Sequence, residues 1–423
     1  MKRHETPHSV AAELAKHAPR HLETVLDPAV GTGALIAPLL QRFRNQNTLL
    51  HCIDIDGKVV NQLRKSPTLQ FPESATFVKA DFLKWSCRPG CPTFDCVVMN
   101  PPFAAGKLDL RRTSDFGFED VNRSVPLEVA FTIKAVDLLN DEGRLLAVLP
   151  CSVVMAEKCQ WLRDWLLANG AIRFIHELPP RSFPCVESRM YLLVFDKGKK
   201  SQKITLYNHD LFAPEKLELK LKKGVEVNRF DFGFHNAQIK LKKLTMRSEL
   251  GWKRLGDIAQ VFRGSVASPQ GPKTAVHSCD FKSGFWKRSA RHRIRFCDMK
   301  DRRICLGDIL VKRVGRECHL SFGKAIALTG IPCSDCLLVI RPNSRHESLR
   351  ILFALQVLFS LEWTKALIER GTGATYVGQN GLLDLPLPME LHTFFPQEFQ
   401  IFEDGQKNTS DKQISKALSS VSL

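Results

Sequence analysis

Asn100-Pro101-Pro102-Phe103 follows directly on the apolar run Cys96-Val97-Val98-Met99, and its residue types suit one kind of chemistry. Consecutive prolines fix the backbone and remove two N–H donors, so the corner presents acceptors. The Asn100 side-chain oxygen and the Pro101 carbonyl can then both accept from a single planar NH₂ group. Such an amine is a poor nucleophile, because its lone pair is delocalised into a ring or carbonyl. Two acceptors on its hydrogens favour a tetrahedral nitrogen whose lone pair faces an electrophile. Phe103 adds a flat face for a nucleobase taken out of its stack. The plainer account of the same residues is a rigid loop after a strand.

Three upstream motifs supply what an electrophile carried on a nucleoside would need. In Asp27-Pro28-Ala29-Val30-Gly31-Thr32-Gly33, the glycines let the backbone turn tightly and approach a ligand. Ile36 stands where a phosphate-binding dinucleotide loop would want a third glycine, which disfavours NAD. Asp54, in His51-Cys52-Ile53-Asp54-Ile55-Asp56, can accept from both hydroxyls of a ribose. Asp81 can accept from an adenine amino group while Phe82 covers the ring. Each motif alone has an ordinary reading: a turn, an exposed aspartate, a core phenylalanine. It is their order ahead of the Pro-Pro corner that makes them converge.

The elements that must position these residues are legible from periodicity. Apolar runs at 24–26, 49–53, 75–78, 94–99, 144–149, 172–178 and 190–195 predict strands. Helical spacing is expected over 10–18, 34–43, 59–63, 127–139 and 161–167. Strands separated by helices imply right-handed crossovers, and so a doubly wound, mostly parallel seven-stranded α/β domain over residues 1–200. Lys197 to Lys200 and the lysines from Lys216 to Lys223 suggest an exposed, loosely structured connection over 201–250. Short strands and turns follow in a smaller α+β domain over 251–395, with a polar tail over 396–423.

Composition bounds the partners. The 423-residue chain is 44% hydrophobic and 25% charged, ordinary for a globular protein, but carries a formal net charge of +17. Its pI near 9.4 makes a large acidic partner, nucleic acid first, the natural expectation. Between Phe281 and Arg316 there are twelve lysines and arginines against three aspartates, so Lys287, Arg288, Arg291, Arg293, Lys312 and Arg313 are candidate phosphate contacts. The opening MKRHETPHSV lacks the apolar core of a signal peptide, and the longest greasy stretch, 351–363, is too short to span a bilayer. Thirteen cysteines without framework spacing read as reduced thiols of a cytoplasmic protein. Cys333 and Cys336 form one Cys-x-x-Cys pair, and structural zinc usually needs two, so no metal is expected.

The motif set resembles the adenine-N6 DNA methyltransferases whose target-recognition domain follows the catalytic domain, the TaqI-like kind, over nearly the whole chain. The resemblance implies S-adenosylmethionine as cofactor, held by Thr6, Asp27, Gly31, Gly33, Asp54, Ile55, Asp81, Phe82 and Phe131. It also implies Asn100, Pro101 and Phe103 as the catalytic set, with Phe183 of Ser182-Phe183-Pro184 packing beside Phe103 against a flipped adenine in duplex DNA. Asp27 stands where some relatives have Glu, and Phe103 where Tyr is common; both keep the needed chemistry. Such enzymes belong to bacterial or archaeal restriction-modification systems or act alone, so a monomer with a separate cognate endonuclease is expected. Two alternatives stay open: an enzyme acting on ribosomal RNA amines, and a non-catalytic specificity module with a decayed methyltransferase domain.

Overall fold

The computed structural model describes residues 5–404 other than 45, 67–68, 70, 104–109, 120–121, 185–187, 223–226, 267–274, 283–284, 287–301, 316–317, 326–327 and 372–374. The chain divides into two compact units, Met1–Phe232 and Gly233–Leu423, each built around its own apolar core.

The first unit is centred on a nine-stranded sheet. Its strands are β1 (Thr24–Asp27), β2 (Leu49–Asp54), β3 (Thr76–Lys79), β4 (Phe94–Met99), β5 (Leu139–Pro150), β6 (Gly170–Glu177), β7 (Met190–Lys197), β8 (Lys203–Tyr207) and β9 (Lys216–Lys220). They lie in the order β9-β8-β6-β7-β5-β4-β1-β2-β3. Strands β3, β2, β1, β4 and β5 are mutually parallel, β7 runs against β5 and β6, and β9 runs against β8. Near-continuous burial along β4, β5 and β7 is what a sheet covered on both faces requires.

The sheet has nine strands where seven were expected, and the difference lies in the segment read as a loose connection. Lys216-Leu217-Glu218-Leu219-Lys220 alternates charge with leucine, and its leucines pack on the main core while its charges face water. Lysines on an edge strand guard against pairing with other chains, so their density marks an edge rather than a coil.

Helices α1 (His8–Ala15), α2 (Ile36–Arg42), α3 (Gly57–Arg64), α4 (Phe82–Trp85), α5 (Leu127–Asp137), α6 (Cys151–Met155) and α7 (Gln160–Asn169) accompany the strands. Two starts are set by aspartate caps: Asp56 accepts from Lys58 N–H at 2.9 Å, and Asp81 from Leu83 N–H at 3.0 Å. Strand order reverses between β1 and β4, which opens a crevice beyond their carboxyl ends, where α/β sheets bind ligands.

The second unit begins within α8 (Phe232–Thr245) and holds a four-stranded antiparallel sheet. Its strands β10 (Ala259–Arg263), β11 (Ile309–Lys312), β12 (Phe322–Lys324) and β13 (Leu337–Pro342) lie in the order β10-β13-β11-β12. Helix α9 (Ser348–Phe359) is buried along most of its length and belongs to this unit's core. Among the described residues no single helix is long and apolar enough to cross a membrane.

Candidate active site

The loop after β1 turns at Gly31, with φ +52°, and Gly33, with φ +82°. Both values lie in the left-handed region that only glycine enters without strain. A Cβ on Gly33 would also stand 2.8 Å from Leu69 Cδ1 and 3.1 Å from Leu63 Cδ2, whereas one on Gly31 would meet nothing closer than 3.9 Å. Gly33 is therefore fixed by packing, while Gly31 faces open space where a ligand can approach. Asp54, at the end of β2, braces this loop by accepting from the N–H groups of Gly31 at 3.1 Å and Asp56 at 2.8 Å.

A second acid lies beneath the loop. Asp27 is 1% exposed and accepts from Ala29 N–H at 3.0 Å. Burial pushes its carboxyl up to about 8; the Ala29 bond works against that rise and the nearby Asp54 charge adds to it. Two acids and an open glycine turn make a cradle suited to a polar, partly cationic ligand.

The residues next to this cradle are apolar. Ile55 is 70% exposed directly after Asp54, so its side chain is open to a ligand at this edge. Asp81 caps α4, and the Phe82 and Phe131 rings lie 4.9 Å apart, both buried.

Across the crevice, β4 ends at Met99 and the corner begins with Asn100. The Asn100 amide Nδ2 donates to Thr6 Oγ1 at 2.9 Å, which fixes the rotation of the amide. Thr6 is buried, and its neighbour Glu5 accepts from Thr32 Oγ1 of the glycine loop at 2.8 Å. The amino-terminal segment thus bridges cradle and corner, beyond the cofactor contact expected of Thr6. Pro101 is buried, and Phe103 is half-buried against an apolar cluster that also contains Phe183. Phe183 itself is only 1% exposed, so in this conformation its ring presents no open face to a base.

In the second unit, Lys312 ends β11, and Arg313 donates through Nε to the Asp335 carbonyl at 2.7 Å. Arg263 meets the same residue, Nη2 to Oδ2 at 2.5 Å. Burial and the neighbouring Arg263 charge hold the Arg313 pKa below its usual value. Lys287, Arg288, Arg291 and Arg293 lie outside the described residues. Cys333 is buried and Cys336 half-buried, and no three His, Cys, Asp or Glu side chains gather into a metal-holding group among the described residues.

Fold and site together define a class, an α/β domain with a glycine loop and an acceptor-rich corner at the carboxyl edge of its sheet. The chain belongs to the N-6 DNA methylase family, which matches residues 3–230. It is 25% identical over 171 residues to the type II methyltransferase M.BsuBI of Bacillus subtilis, covering 36% of this chain and 33% of that protein. To the type II methyltransferase M.HincII of Haemophilus influenzae it is 24% identical over 202 residues, covering 46% of this chain and 37% of that one. The chain thus spans only about a third of the length of these curated relatives. Among solved structures, the type IIG restriction endonuclease BpuSI matches with a TM-score of 0.48 and 14% identity, over 98% of this chain and 64% of that one. A type I restriction-modification methyltransferase subunit from Streptococcus thermophilus matches with a TM-score of 0.41 and 22% identity, over 49% of this chain and 48% of that one. The cofactor of this family is S-adenosylmethionine.

Proposed function

We propose that this protein is a site-specific DNA methyltransferase that modifies N6 of an adenine extruded from duplex DNA. The observation that carries the reading is the placement of Asn100 at the end of β4, beside the glycine loop that ends β1, on either side of the strand-order reversal. Family membership supports the same reaction, and the net charge of +17 supports a polyanionic substrate.

Thr6, Asp27, Gly31, Gly33, Asp54, Ile55, Asp81, Phe82 and Phe131 would hold S-adenosylmethionine, with Asp54 on the ribose and Ile55 against the adenine. When bound, that cofactor supplies a methyl group on a positively charged sulfur. The corner does the rest. Asn100 and the Pro101 carbonyl accept from the two hydrogens of the target amine and draw its nitrogen out of conjugation. Phe103 covers the extruded ring, while Phe183 is buried in the cluster that Phe103 packs against. The amine acidifies sharply once it carries the methyl and a positive charge, so orientation and preorganised acceptors replace a strong general base. Extrusion costs about a few kcal/mol, which phosphate contacts from the basic second unit, Lys312 among them, offset. We place the enzyme in a restriction-modification setting as a monomer, with cleavage left to a separate chain.

The test is tritiated S-adenosylmethionine offered with unmethylated genomic DNA, ribosomal RNA and bulk protein side by side. Label entering DNA alone is the expected result; label entering RNA or protein instead refutes the reading.

A further inference from the structure

The loop between β8 and β9 lies at the same edge of the sheet as Asn100. Strand β8 runs parallel to β6, which shares the direction of β5 and β4, so the end of β8 at Tyr207 points toward the crevice edge. The loop is braced by two side-chain turns and one bond from the sheet. Asn208 Oδ1 accepts from Asp210 N–H at 3.1 Å and Glu215 N–H at 3.2 Å. Asp210 Oδ1 accepts from Phe212 N–H at 2.8 Å and Ala213 N–H at 3.0 Å. From the sheet, His176 Nε2 meets the Asp210 carbonyl at 3.1 Å. Leu211 packs on the apolar cluster that also takes Phe103 and Phe183.

The next residue, Phe212, is 93% exposed, the highest value among the exposed large apolar side chains of the described residues. Leu211 already meets the loop's apolar demand, so folding makes no use of this ring. A lone exposed apolar side chain is ordinary on a surface. One held out by a loop braced through Asn208, Asp210 and His176, on the edge where DNA must lie for a base to reach Asn100, has a use.

Resting on the function proposed above, we infer that Phe212 is a DNA contact whose ring stacks against bases of the duplex flanking the extruded nucleotide. Strand β8 is the fourth from β4, which sets the loop roughly 19 Å from Asn100 at about 4.8 Å per strand. That is too far for the extruded base and about five to six base pairs along a duplex. Phenylalanine is a residue that proteins use as an apolar wedge between base steps. Lys216, which pairs with Tyr207 beside the loop, is exposed and supplies a cation for an adjoining phosphate.

Phe212→Ala removes a ring almost wholly in water, so the melting temperature and S-adenosylmethionine affinity remain those of the parent. Its affinity for a mixed-sequence DNA duplex falls about five-fold or more, the loss of one stacked base. Phe212→Trp restores the affinity, and its added emission is quenched by the duplex. Undiminished duplex affinity in Phe212→Ala overturns the inference and is also the outcome if the ring serves a protein partner. A parent enzyme that neither binds nor methylates DNA would bring down the underlying reading instead, and that failure is read separately in the parent.

Discussion

Asn100 and Thr6, 94 positions apart in sequence, are joined by a 2.9 Å hydrogen bond from the amide Nδ2 to the threonine hydroxyl. Because the donor is the NH₂ group, the amide oxygen is turned away from Thr6. The hydroxyl therefore sets where the amide acceptor of the Pro-Pro corner points, and we propose Thr6 as a positioning residue. Thr6→Val keeps the shape and removes the acceptor. Its kcat falls about 10- to 100-fold, as for a modest misplacement of a reacting group. Thr6→Ser recovers most of the loss. A Thr6→Val enzyme with the parent's kcat would show that the bond orients nothing.

The two glycines of the cofactor loop respond differently to alanine. Gly33→Ala adds a clash with Leu69 and Leu63 to a strained backbone, and stability falls by roughly 2–3 kcal/mol. Gly31→Ala meets open space and costs about 1 kcal/mol for its left-handed φ. Its larger effect is on S-adenosylmethionine affinity, because the methyl group occupies the approach. Chemical denaturation and cofactor titration separate the two; equal destabilisation by both substitutions contradicts the assignment.

Asp27 makes stability depend on pH. The folded protein holds the Asp27 proton up to about pH 8, whereas the unfolded chain releases it near 3.8. Stability contributed at this position therefore falls as pH rises through that window and stays level above it. Asp27→Asn flattens the dependence. A cationic cofactor beside the carboxylate favours its charged form, so binding at pH 7 releases part of a proton. Calorimetry in two buffers of different ionisation heat measures that release. Its absence in the parent, or its persistence in Asp27→Asn, counts against the placement.

Ile55 should matter only when cofactor is present. At 70% exposure it contributes little to folding, so Ile55→Ser leaves stability within about 0.5 kcal/mol of the parent. Covering the isoleucine with an adenine ring is worth about 1 kcal/mol, so cofactor affinity drops about five-fold. Unchanged affinity would remove Ile55 from the site.

Much of this was legible because both faces of the central strands are buried, which leaves uninterrupted apolar runs. The runs at 49–53 and 94–99 recur as β2 and β4, and the acids and prolines at their ends fall at the carboxyl edge of the sheet. Strands β8 and β9 were obscured because lysine density outweighed the alternation of leucines in Lys216–Lys220. The Thr6 to Asn100 bond was beyond reach, since periodicity reports neighbours along an element and not a loop folded back from the amino terminus. The burial of Phe183 was hidden for the same reason: a phenylalanine between serine and proline reads alike whether it faces a pocket or a core.

The central claim is that Asn100 directs methyl transfer to the amine of adenine. Unmethylated genomic DNA is incubated with S-adenosylmethionine and either the parent protein or Asn100→Ala, then digested to nucleosides for mass spectrometry. The parent yields N6-methyladenine, and Asn100→Ala, with cofactor affinity intact, yields none above background. Methyl groups on cytosine instead, or equal N6-methyladenine from both proteins, would contradict it.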